Sequence, residues 1–509
     1  MTAQRMRFSL RTFMFICAML LAQVNWSQGK TTGMFENHQD IGSVEIPGSI
    51  SYNSEDQEYL IESSGENMWF DQDQFHYLWR SIQGDFIVRT KIRFIGEGVN
   101  PHRKLGWVVR NSLNPDAPHV NAAVHGDGLT ALQYRRTRGG MTEEKTSPSK
   151  APDIIQLERR GELFIMGTAV SGEEMKYMEI SVPEILNEAF VGIYLCSHEK
   201  DVAERALFSE VRIIRPFTQT ETAYQDYLGS NLEVLDLESG RREVLMRSAH
   251  SIQAPNWTTD GKKLIYNSNG FLYAYDLDSG GVERLETGFA DSNNNDHVLS
   301  FDGEQLGISH HDSEDNGDSV IYTLSVEGNA NPLRITKKGV GNSYLHGWTV
   351  DGKKLLFTGQ RNDQYDIYSV EIGTGEEKQL TNTSGLDDGP EMDPKGEYIY
   401  FNSNRTGTMQ IWRMKPDGSD QTQLTFDPWN DWFPHISPDG KTMIFLSFGT
   451  DVDSGDHPFY KHVVLRTMPV DGGQPTIVAY VYGGQGTINV PSWSPDGKRV
   501  AFISNTGAY

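Results

Sequence analysis

The chain has 509 residues, more than one hydrophobic core usually supports, so it divides into more than one folding unit. Its 69 acidic and 45 basic residues leave a net charge of −24, which repels a phosphate backbone and argues against DNA or RNA as a partner. Only two cysteines, Cys17 and Cys196, are present, which excludes a disulfide framework and a cysteine-based zinc site.

At the N-terminus, Arg5, Arg7 and Arg11 precede an apolar run over residues 12–24. A positive stretch followed by an apolar run of this length predicts a signal peptide over residues 1–28 and export to the periplasm or beyond the cell. The run is shorter than the roughly 20 apolar residues a membrane span needs, and no second candidate follows, so no membrane span is expected. Cys17 lies within Met14-Phe15-Ile16-Cys17, which does not suit a lipoprotein cleavage site. Cys196, the thiol left after the leader, is expected in the core.

Residues 30–220 carry short alternating runs such as 85–94, 105–110 and 190–195. Period-two alternation over many strands predicts a β-sandwich. Trp69-Phe70, the run Phe75-His76-Tyr77-Leu78-Trp79, and the strands beginning at Gly84 and Leu105 resemble the concanavalin or laminin-G-like sandwiches attached to exported carbohydrate-active proteins. No catalytic motif accompanies them. Trp69, Trp79 and Trp107 could stack on sugars, but a sandwich core buries tryptophans routinely, and core is the preferred reading. Residues 216–226 read as a polar linker.

Beyond the linker one phrase recurs six times. It appears as Trp257-Thr258-Thr259-Asp260-Gly261, Leu299-Ser300-Phe301-Asp302-Gly303, Trp348-Thr349-Val350-Asp351-Gly352, Met392-Asp393-Pro394-Lys395-Gly396, Ile436-Ser437-Pro438-Asp439-Gly440 and Trp493-Ser494-Pro495-Asp496-Gly497. The glycines are 42, 49, 44, 44 and 57 residues apart. Each phrase is a strand running into a tight turn, followed by three further strand patterns, and four antiparallel strands at this period make a propeller blade. The last repeat holds only two strands, and the missing pair lies upstream at 232–237 and 241–246. The ring therefore closes with strands from both ends of the domain, as a six-bladed propeller over residues 229–509, and the chain is expected to be complete at Tyr509.

The Trp-Ser-Pro-Asp-Gly-Lys phrase at 493–498 and the ending Asn402-Ser403-Asn404-Arg405 resemble the six-bladed propeller of TolB-like proteins. The fold class expected is therefore all-β, a sandwich followed by a propeller. The resemblance implies a periplasmic protein that contacts envelope partners, although the same repeats also occur in peptidase propellers and glycan lyases. No Gly-x-Ser-x-Gly domain follows, which disfavours a serine peptidase.

Chemistry is expected where blades depart from the repeat. Two residues before the tryptophan-like position stand Pro255, His297, His346, Pro390, Pro434 and Pro491; one before it stand Asn256, Val298, Gly347, Glu391, His435 and Ser492. This alignment brings His297, His346, Glu391 and His435 toward the axis as a candidate site for a divalent metal, with His346, His435 and Arg405 as candidate catalytic groups. The loops leading into the inner strands add Asn295-Asp296, Asp387-Asp388, Asn430-Asp431 and residues 485–489, from which Asn256, Asp388, Asp431 and Asn489 are candidate ligand-binding residues. His310-His311 is assigned to the surface, and the acidic runs 312–318 and 451–456 to solvated loops. The leading expectation is a protein that binds an envelope protein or other ligand at the axial mouth. The alternative is a metal-dependent enzyme resembling oligogalacturonate lyases, acting on an acidic oligosaccharide with Arg405 as uronate clamp.

Overall fold

The computed structural model describes residues 32–327 and 331–507; the signal-peptide reading over 1–28 lies outside them. Among the described residues the regular elements are strands, with a single 3₁₀ turn at Ser313–Asp315. No helix among them is long and apolar enough to cross a membrane.

Strands from Asn37–Ile41 to Glu199–Ile214 form two seven-stranded antiparallel sheets. Alternation works here as strand geometry requires: in Phe86–Ile95, Phe86 and Val88 point into the shared core with Trp107, Leu157 and Ile193. Trp107 is fully buried there, while Trp79 is half-buried and packs edge-on against Phe190 at 4.7 Å. Cys196 is a buried free thiol on the outer face of one sheet, with Tyr77 and Tyr194.

Residues from 229 onward build six radial sheets. Five have four strands each, beginning at Gln253–Trp257, Asn293–Leu299, Ser343–Trp348, Asp387–Met392 and Asn430–Ile436, and are here blades one to five. Blade six joins the ends of the domain: Gly229–Asp236 lies between Arg242–Ser248 and Arg499–Thr506, and its innermost strand is reduced to a bridge between Trp493 and Val500. Closure in this way pairs Arg499–Thr506 with Gly229–Asp236 and leaves each blade only its short outer edge.

The recurrent turns explain themselves chemically. Gly352 has φ +67° and Gly440 φ +67°, a left-handed conformation that would strain any other residue. In five of the six turns the Ser or Thr three residues before the glycine hydrogen-bonds the turn aspartate, as Thr349 does to Asp351 at 2.7 Å and Ser437 to Asp439 at 2.7 Å, while in the Gly396 turn Asp393 takes that place and accepts from Glu397 N at 2.7 Å. Blades then stack through apolar layers, for example Tyr400 and Ile411 of blade four against Ile436 and Phe445 of blade five.

The sandwich is fastened to blades five and six. Ile154, Ala169 and Met175 pack on Val464, Ile477 and Tyr480, and the His462 imidazole meets Glu158 at 3.0 Å. Glu233 of blade six is completely buried between Arg212 of the sandwich (2.6 Å) and Arg242 (2.7 Å). Removing either arginine would leave a buried charge poorly compensated.

Candidate functional site at the channel mouth

Every complete inner strand carries a register shift: between Gln253 and Asn256, Asn293 and His297, Leu345 and Gly347, Asp388 and Glu391, and Trp432 and His435. A β-bulge leaves residues out of the ladder and re-aims their side chains. Ala254 (φ 54°) and Phe433 (φ 55°) adopt left-handed backbone at these bulges, a conformation uncommon for residues with a side chain. Residues before and within the bulges line one mouth of the channel and residues after them the other.

The first mouth is a polar cavity of about 630 Å³ with Asp296, Tyr344, His346, Asp388, Phe433 and His457 in its wall. Blades two to five, the loop leading to blade six and the linker residue Tyr224 contribute to it, but its lining holds no Lys or Arg. His346 Nε2 lies 3.3 Å from Asp388 Oδ1, its Nδ1 lies 3.4 Å from the Asn489 carbonyl, and its ring stacks on Phe433 at 5.7 Å. Asp388 also accepts a 2.6 Å hydrogen bond from Thr358 and has His457 Nε2 at 4.0 Å.

The electrostatics follow from this packing. Burial disfavours the charged form of each group, but for His346 the nearby Asp296 and the bonded Asp388 outweigh burial and raise its pKa. The same contact, with the charge of His457, outweighs burial at Asp388 and holds its carboxyl below the ordinary range. Asp296 is 5% exposed and forms no ion pair within 4 Å among the described residues. Burial therefore dominates there, and with Asp388 nearby it pushes the carboxyl up to about 6 despite His346.

The alignment of the repeats misplaces half of the expected site, for a geometric reason. In blade two the bulge covers 294–296, one step earlier than the bulge at His346. His297 thus stays in the ladder opposite Ile308, with Nε2 3.2 Å from the Ile265 carbonyl, and Asp296 takes the place at the mouth. Burial lowers the pKa of His297 to about 4, so the ring is neutral near pH 7.

His435 and Glu391 lie beyond the bulges. His435 Nδ1 contacts Glu391 Oε2 at 2.6 Å and its Nε2 the Ile488 carbonyl at 2.5 Å, so both ring nitrogens face oxygen acceptors and neither offers a lone pair to a metal ion. The proposed quartet therefore divides into His346 with Asp388, His435 with Glu391, and His297 alone. No group of three His, Cys, Asp or Glu side chains placed to hold a metal occurs among the described residues, and the quartet does not fit a divalent ion.

The other expected residues separate likewise. Asp388 and Asn489 line the polar mouth. Asn489 accepts from Gly486 N at 2.8 Å and donates to Gln485 at 3.0 Å, fixing the loop that leads to blade six. Asn256 joins neighbouring inner strands instead, donating to the Pro491 carbonyl at 2.5 Å and accepting from Leu299 N at 3.2 Å. Glu391 does the same for Ile436 N at 2.9 Å. Asp431 is fully buried away from the cavity, held by Arg466 and by Ser447 at 2.8 Å. Arg405 is committed to Asp387 (2.8 Å), Ser403 (2.8 Å) and Gln421 (2.5 Å), a pairing within blade four that leaves no fork for a uronate.

Reading the sequence missed Tyr344, Tyr365 and His457 as mouth residues. A signal for His457 existed: the 57-residue step around blade five is longer than its neighbours, and the excess builds the 449–460 loop that brings His457 to the axis. His311, expected at the surface away from the axis, is exposed but sits on the rim of this mouth.

The second mouth, about 370 Å³, is ringed by the repeat itself, including Trp257, Trp348, Trp493, Pro394, Pro438 and Pro495. Its tryptophans staple blades: Trp348 Nε1 donates to the Val298 carbonyl and Trp493 Nε1 to the His435 carbonyl, each at 2.9 Å.

These features define a six-bladed propeller in which a repeated frame carries one non-repeated mouth. The family model "TolB beta propeller domain" matches residues 342–456. The uncharacterized protein Atu1656 of Agrobacterium fabrum is 41% identical over 287 residues, covering 56% of this chain and 96% of that protein. A solved structure from Agrobacterium tumefaciens, provisionally named TolB, is 40% identical with a TM-score of 0.53, covering 56% of this chain and all of that one. The Tol-Pal system protein TolB of Bordetella pertussis is 26% identical over 335 residues, and the chain spans 61% of its length. The chain belongs to the TolB-like propeller family.

Proposed function

We propose that this is an exported, partner-binding propeller that takes a segment of a cell-envelope protein at its polar mouth. The observation carrying this reading is the contrast within one ring: the repeated turn phrase rings the opposite mouth, whereas the polar mouth collects polar and aromatic groups outside that repeat from blades two to five and the loop leading to blade six. The similarity to proteins of the Tol-Pal system supports an envelope setting. The arginine-rich leader supports export. The lyase alternative lacks support in the geometry, because the histidines do not converge and an acidic oligosaccharide would meet two carboxylates with no lining Lys or Arg to offset them.

The test is capture from envelope extracts with a mouth-plugged variant as control. Gly455 lies on the rim, is exposed and has ordinary φ, and a side chain there would first meet only the Asp453 carboxylate at 3.3 Å. Gly455→Trp should fold normally and lose a partner that the unaltered protein captures and mass spectrometry identifies. Equal capture by both proteins would refute binding at this mouth.

A further inference from the structure

Asp296 poses a question that the fold does not answer. A carboxylate taken out of water is costly unless a counter-charge or several hydrogen bonds compensate it. Elsewhere in this chain buried acids follow that rule: Asp73 lies between Arg110 and Arg135, Glu233 between Arg212 and Arg242, and Asp387 against Arg405. Asp296, 5% exposed where those three are fully buried, has no arginine or lysine within 4 Å among the described residues, and its compensation is limited to the charge of His346 and a hydrogen bond with Asn294. It lines an open cavity, beside a second carboxylate, Asp388, whose contacts are Thr358, His346 and the more distant His457.

The surrounding surface favours one sign of charge. One imidazole, His346, serves two carboxylates. The walls add the aromatic rings of Tyr344, Tyr365, Tyr224 and Phe433, side chains of the kind that attract a desolvated cation. Arg361, the arginine near this end of blade three, is tied to Glu377 at 3.0 Å and to the Asn342 carbonyl at 2.8 Å, so it cannot swing in as a counter-ion without breaking both. The volume of about 630 Å³ lies within the ~300–1,000 Å³ typical of binding pockets. The net charge of −24 draws cations toward the molecule over a longer range.

From this arrangement we infer that the polar mouth is a receptor for an organic cation, the guanidinium or ammonium of an arginine or lysine side chain on a partner protein, with Asp296 as its counter-ion and the tyrosines and Phe433 as its walls. The inference rests on the reading of the mouth as a partner site and specifies the chemistry of what enters. The bound cation supplies the compensation that Asp296 lacks, and His346 with Asp388 holds the floor in place beneath it.

The experiment is calorimetric titration of the full chain at low salt with three capped peptides, acetyl-Gly-Arg-Gly-amide, its lysine counterpart, and the citrulline isostere in which the guanidinium is a neutral urea. The arginine or lysine peptide should bind at least about tenfold more tightly than the citrulline peptide, as expected for a charge-assisted pair. Asp296→Asn should abolish that preference, and Arg405→Met, off the mouth, should keep it. Equal affinities for charged and neutral peptides, no binding of any of them at millimolar concentration, or an unchanged preference in Asp296→Asn would overturn the inference. Gly455→Trp separates the two ideas. If it loses partner capture while no charge preference exists, the cation assignment fails and the mouth stands. If the preference exists but capture survives the plug, the partner reading fails and the cation site stands.

Discussion

The two mouths of the channel are made from the same strands and differ in how they use the repeat. The apolar mouth is ringed by the repeated turn phrase, and the residues beside it hold the ring: Trp348 reaches back to Val298, Asn256 to Pro491 and Leu299, Glu391 to Ile436. At the polar mouth the blades present different sets, Asn295 and Asp296 from blade two, Tyr344 and His346 from blade three, Asp388 from blade four, Phe433 and His457 from blade five. Residues that recur in a repeat protein answer to the frame, and residues that fail to recur answer to what the frame carries. A bulge of one to three residues separates the two uses within a single strand.

Breaking the frame should give the largest effects. Trp348→Ala removes a buried indole and its bond to blade two, and should cost about 3–5 kcal/mol, read as a fall in denaturation midpoint with the mouth otherwise intact. Arg405→Met leaves Asp387 buried without its cation and should cost about 3 kcal/mol while leaving binding at the mouth unchanged; a selective loss of binding would restore Arg405 to the site.

Changing the mouth should move stability the other way. The folded pKa of Asp296 is raised above the unfolded value of 3.8, to about 6, so its ionisation opposes folding. That cost is absent below about pH 4, grows between pH 4 and 6 and is complete above pH 6. Asp296→Asn should therefore stabilise the protein by about 1–3 kcal/mol at pH 7, with the difference vanishing near pH 4; destabilisation at pH 7 would show that the carboxylate serves the fold. The smallest effect belongs to a single turn: Thr349→Ala loses the bond to Asp351 and should cost about 0.5–1 kcal/mol, visible as a slight shift in melting temperature.

The fold was legible because its determinants are local and repeated. Six turn phrases, each with a glycine at positive φ, announce the hairpins, and the strand count alone brings Gly229–Asp236 beside Arg499–Thr506. The site was only half legible. Asp388, His346 and Asn489 fall where the approach to each inner strand suggested. His297 does not, because a bulge placed one residue earlier in blade two exchanges the roles of His297 and Asp296, and a one-residue change of register turns side chains to the opposite face. Such bulges are set by packing around the axis, which no single blade encodes. The concanavalin-like character of residues 30–220 is an expectation that the two seven-stranded sheets accommodate without assigning them a ligand.

The seam of blade six has a consequence for how the chain is made. Gly229–Asp236 emerges early in synthesis, yet its partner Arg499–Thr506 comes from the far end of the chain, so one side of that strand waits for nearly the whole ring to appear. Until then the nascent protein carries a hungry edge, a template for pairing with a neighbouring molecule, and Arg499–Thr506 acts as the latch that ends this vulnerable period.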